Sequence, residues 1–103
     1  MCRLGKVMPQ HTEELELFDM ADQFIDVANR LVEEHGQELG RVGAAIRYAA
    51  ARFNAHEASY KSDDLEADKE DALSWFTEQY RKMLIDNIDE HIEMALERNE
   101  KNT

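Results

Sequence analysis

Cys2 is the only cysteine in this chain of 103 residues, so no disulfide can form within it, and a small secreted domain held together by such bonds is excluded. Proline occurs once and glycine four times, too seldom to supply the turns of a sheet protein. No apolar run approaches the ~20 residues that cross a bilayer. The opening MCRLGKVMPQ lacks the apolar core of a signal peptide. The expectation is a cytoplasmic all-α protein, one domain in size, with no membrane partner.

Basic residues are also few. Lys and Arg total 12 against 23 Asp and Glu, a formal net charge of −11. Surfaces that hold phosphate backbones neutralise them with Lys and Arg, so direct nucleic-acid binding is not expected. A charge of this sign either attracts a basic partner or serves only solubility.

The motifs of chemistry are absent as well. No glycine-rich phosphate loop occurs, and Ser59, Ser62 and Ser74 stand in no recognisable arrangement with a histidine and an acid. His35, His56 and His91 fall on apolar faces, but none belongs to a Glu-x-x-His or His-Glu-x-x-His pair of the kind that binds metal in helical proteins. His56-Glu57 and Glu90-His91 are adjacent pairs, which point to different sides of a helix. Structural, hydrogen-bonded histidines are the expectation, with no metal, cofactor or catalytic residue assigned.

What the chain has is helix. The central segment from Val42 to Tyr60, VGAAIRYAAARFNAHEASY, holds seven alanines and no proline. At about 100° per residue, Val42, Ala45, Ile46, Ala49, Ala50, Phe53, His56 and Tyr60 share a face expected to meet the core. Ala44, Ala51, Ala55 and Ala58 lie roughly opposite. There they either admit a second helix closely or simply face water as good helix formers.

Ahead of it, residues 1–11 carry Gly5 and Pro9, lack periodicity and are expected to form a flexible tail. Thr12 is placed to cap a first helix, whose stripe is Leu17, Phe18, Ala21, Phe24, Ile25, Ala28, Leu31 and Val32. Gly36 supplies its stop. Residues 36–41, GQELGR, form a short connection that favours an antiparallel return. Residues 13–41 carry nine acidic residues against Arg30 and Arg41, whereas the central helix has Arg47 and Arg52, so the two are complementary in sign.

A third helix is announced by Ser62 and Asp63, with Glu66 in the pattern of a capping box. Nothing interrupts it from about Leu65 to Leu96, giving roughly thirty residues, or ~45 Å. Its expected core face is Leu73, Phe76, Tyr80, Leu84, Asn87, His91 and Ala95. Ile85, Ile88, Ile92 and Leu96 form a second stripe late in the helix, where it outruns the second helix. Trp75 points away from the core and is either a partner contact or a ring lying on its own helix. The residues after Arg98 are expected to fray, leaving residues 12–98 as a single helical domain.

Three segments carry a resemblance: FDMADQFIDVAN (Phe18 to Asn29), YAAARFNA (Tyr48 to Ala55) and FTEQYRKML (Phe76 to Leu84). The chain resembles the small bacterial helical proteins grouped as Domain of Unknown Function 3144. The likeness spans residues 18–84, about two-thirds of the chain, and stops short of the tail and of the segment after Asn87. It implies a bacterial, cytoplasmic, helical protein and brings no catalytic or binding residues with it.

The expected architecture is therefore three antiparallel helices with a long third, dimerising into a larger bundle. The expected function is a non-enzymatic, self-associating protein interaction module. Its candidate interface is Ile85, Ile88, Ile92 and Leu96, with Ala51 and Ala55. Two other readings stand beside it: a small-ligand or metal-binding helical protein, whose candidate polar group is Tyr48, Arg52, Asn54, Glu78, Gln79 and Arg81, and an acidic decoy for a basic nucleic-acid-binding protein. In a filter-retention assay at moderate salt, the chain is expected to leave a short DNA or RNA duplex unbound; retention would contradict the charge argument.

Overall fold

The computed structural model describes residues 15–101. Three α-helices follow one another, α1 (Leu17–Glu33), α2 (Leu39–Lys61) and α3 (Leu65–Lys101), with no strand among the described residues. The all-α class and the long third helix are those that the hydrophobic spacing implies. The expected tail and the Thr12 cap lie outside the described residues.

α1 starts after Glu16, whose backbone is extended and whose side chain makes no capping bond. Its carbonyl accepts the Met20 amide at 3.1 Å. Asp19 in the first turn and Arg30 in the last complement the positive and negative ends of the helix dipole. The helix closes where the Arg30 carbonyl accepts the amides of Glu34 at 2.8 Å and His35 at 3.2 Å. Gly36 then takes a φ of 65°, the left-handed conformation that only glycine adopts without strain, and the Gln37 amide turns back to the Leu31 carbonyl at 3.0 Å.

α2 begins at Leu39, so Gly40 and Arg41 are helical and do not belong to the connection. Glu38 is the reason. Its carboxylate accepts the Arg41 amide at 3.1 Å, and its carbonyl accepts the amides of Arg41 at 3.0 Å and Val42 at 3.1 Å. Glutamate is not among the usual capping residues, so residue preference alone does not reveal this start.

The cap of α3 is one residue later than the sequence pattern suggests. Asp64, not Asp63, holds the first turn, its Oδ1 accepting the Ala67 amide at 3.2 Å and its carbonyl the Asp68 amide at 3.0 Å. The reciprocal partner is Asp68 rather than Glu66: the Ser62 hydroxyl donates to Asp68 Oδ2 at 2.6 Å and accepts the Asp64 amide at 3.1 Å. α3 runs on to Lys101, past Arg98, where fraying was expected to set in.

The chain divides into two compact units within α2, one ending at Ala49 and the other beginning at Ala50. In the first, shelter is confined to the end of α1, where Ala28, Leu31 and Val32 are half-buried, and to the start of α2. Val42 there is 7% exposed, the one buried hydrophobic residue among those described. In the second, the half-buried positions are Asn54, His56, Glu57 and Ala58 on α2, Ser62 after it, and Ala72, Phe76, Gln79 and Ala95 on α3.

That pattern corrects the expected core faces. Of the α3 face, Phe76 and Ala95 are half-buried, while Leu73, Tyr80, Leu84, Asn87 and His91 are exposed. On α2, Phe53 and Tyr60 are exposed, and Ile46 stands at the edge of exposure at 36%. Periodicity identifies the most apolar face of a helix, but does not say which neighbour covers it. Here the sheltered positions mix Val42, Leu31, Val32 and Phe76 with small and polar residues, and most of the large apolar groups are left outside.

The capping geometry gives a test. Asp64→Ala is expected to destabilise the protein by about 1 kcal/mol in urea denaturation at fixed concentration, while Asp63→Ala stays within about 0.5 kcal/mol of wild type. The reverse order of effects would restore Asp63 as the cap.

Candidate functional site

Beyond Gln79, every α3 residue up to Met94 is exposed. With no glycine or proline from Leu65 to Lys101, the helix carries two adjoining lines of residues along this stretch. Leu84, Asn87, His91 and Met94 form one, and Ile85, Ile88, Ile92 and Ala95 the other. Between them lies an open, largely apolar groove lined by Leu84, Asn87, Ile88, His91, Ile92 and Ala95. Ile88 is 50% exposed and Ile92 51%, although either would gain by leaving water.

The two polar residues in the groove are held by their own helix. Asn87 Nδ2 donates to the Met83 carbonyl at 2.7 Å, and His91 Nδ1 lies 3.0 Å from the Asn87 carbonyl. Both bonds reach four residues back along α3, a local arrangement that helical Asn and His side chains make without a tertiary partner.

Of the candidate interface residues, Ile85, Ile88, Ile92 and Leu96 are all exposed on α3, with Ile88 and Ile92 lining the groove. Ala51 and Ala55 are exposed on α2. Leu84, Asn87, His91 and Ala95 were assigned to the core face instead. The two lines adjoin on one helix, and their common spacing was the signal that they form one surface.

The candidate polar group does not lie in one unit: Tyr48 falls before the division at Ala49, the other five residues after it. Asn54 Nδ2 donates to Glu57 Oε1 at 3.2 Å, and Glu57 also pairs with Lys61 at 3.3 Å, so these polar groups are engaged along α2. Glu78 and Arg81 are exposed, and Gln79 is half-buried.

His56 sits between aromatic rings on α2, its centroid 6.1 Å from that of Phe53 and 4.6 Å from that of Tyr60. Trp75, 56% exposed, lies edge-on to its chain neighbour Phe76 with centroids 5.0 Å apart. Among the described residues, no three His, Cys, Asp or Glu side chains gather as a metal ion would need. None of the helices described is long and apolar enough to cross a membrane.

Comparison with known proteins places the chain. The family described as Protein of unknown function (DUF3144) matches residues 17–92, which takes in all of α1 and α2 and the groove as far as Ile92. No curated protein and no solved structure matches it. The likeness therefore extends past Leu84, where the three sequence segments stop, and takes in part of the segment after Asn87. Covering well over half of the sequence, the match shows that this chain belongs to the DUF3144 family.

Proposed function

We propose that the chain is a self-associating helical interaction module that works as a homodimer joined through the C-terminal part of α3. One observation carries the reading: Val42 is the single buried hydrophobic residue described, while Phe18, Phe24, Ile85, Ile88, Ile92 and Leu96 stand in water. Full burial of a side chain of this size is worth roughly 1.5 to 3 kcal/mol. Contiguous apolar surface on a small protein marks a contact with another molecule. Twofold pairing is the commonest closed arrangement of identical chains.

Charge opposes this association only weakly. Two copies at −11 each repel, but at physiological salt the screening length is about 8 Å, so the repulsion is short-ranged while the apolar contact is direct. Glu90, Glu93 and Glu97 keep the side of α3 away from the groove charged and limit growth beyond a dimer.

Light scattering tests the reading. The wild-type chain is expected at twice its 12.0 kDa mass, and Ile92→Glu at the monomer mass with its helical circular dichroism retained. Raising the salt is expected to tighten the dimer modestly. A wild-type monomer whose α3 is ordered through Leu96 would sink the proposal.

A further inference from the structure

We infer that the groove on α3 receives the same groove of a second copy running in the opposite direction, with Asn87 of each copy hydrogen-bonded to His91 of the other. The inference rests on the self-association proposed above and adds its direction, its register and the contact that sets them.

The two lines along the groove have the spacing three, four, three, so each reads alike from either end. Their chemistry differs. On the first, the polar pair Asn87 and His91 occupies the two middle positions; on the second, the middle positions are Ile88 and Ile92. In an antiparallel twofold pair, the axis lies across the helices and each line meets its own counterpart. Asn87 is then level with His91 of the second copy, and Ile88 with Ile92. The midpoints of the two lines are one residue apart, ~1.5 Å along the helix, so a single crossing point serves both. In a parallel pair the axis runs along the helices and each line meets the other. Asn87 and His91 would then press on isoleucines, leaving the second Asn87 hydrogen and His91 Nε2 buried without partners, which is the more costly outcome.

The side chains are already set for the first arrangement. Asn87 Nδ2 gives one of its two hydrogens to the Met83 carbonyl at 2.7 Å, leaving the other to donate. A carbonyl oxygen only accepts, so His91 Nδ1, 3.0 Å from the Asn87 carbonyl, carries the ring proton of the neutral side chain. Its Nε2 is therefore an acceptor, complementary to the remaining Asn87 hydrogen of the other copy. This match occurs twice per dimer. A lone polar contact within an apolar helix pair is a known means of fixing register and orientation.

Cysteine cross-linking of the full chain in a Cys2→Ser background tests the direction. Under mild oxidation, a mixture of Ile85→Cys and Ala95→Cys chains is expected to give a disulfide-linked heterodimer. Ala95→Cys alone is expected to give none, because antiparallel pairing sets the two cysteines ten residues, ~15 Å, apart, beyond the ~7 Å Cα separation that a disulfide spans. Ready self-linking of Ala95→Cys would overturn the antiparallel direction while leaving self-association standing. A wild-type chain that stays monomeric overturns both. For the polar contact, Asn87→Ala and His91→Ala are each expected to raise the dimer Kd about tenfold, and the double variant to raise it no further than the larger single effect. Unchanged Kd values, or effects that simply add, would remove the Asn87–His91 contact.

Discussion

An apolar face on a helix must be covered by a second layer, and in this chain the covering runs out. α3 has 37 residues, about 55 Å of helix, whereas α2 has 23, about 35 Å. Along α3, Ala72, Phe76 and Gln79 are half-buried, every residue from Tyr80 to Met94 is exposed, and shelter returns only at Ala95. The interaction proposed for this protein follows from that exposed stretch, which leaves branched aliphatic side chains available to other molecules.

Polar contacts do a different job. The hydrogen bonds of Glu38, Asn54, Ser62, Asp64, Asn87 and His91 all stay within six residues along the sequence. They close helix ends, cap helix starts and hold side chains against the backbone. Exposed ion pairs such as Glu57 with Lys61 add little, about 0 to 1 kcal/mol each. The helices are thus defined by short-range polar bonds, while apolar area is what remains to drive their association.

Acidity sets the terms of that association. Glu90 and Glu93 do not line the groove and fall toward the far side of α3, so two copies can meet without burying a carboxylate, whose desolvation would outweigh the contact. The polar residues that do line the groove, Asn87 and His91, are ones that a neutral hydrogen bond can satisfy.

The sequence by itself determined the three helices, the stop at Gly36, the apolar stripes and the family. These depend on interactions only a few residues long: the i to i−4 backbone bond, the helix cap and the 3.6-residue period. Where local readings went astray, the rival was equally local, as with Asp64 for Asp63 and the glutamate cap at Glu38. The tertiary structure alone decided which stripes are sheltered. Burial depends on what stands opposite, and residues such as Leu84 and Phe76 look alike in sequence until one neighbour is present and the other is not. The same holds for the groove, whose Leu84, Ile88 and Ile92 stay exposed in the fold.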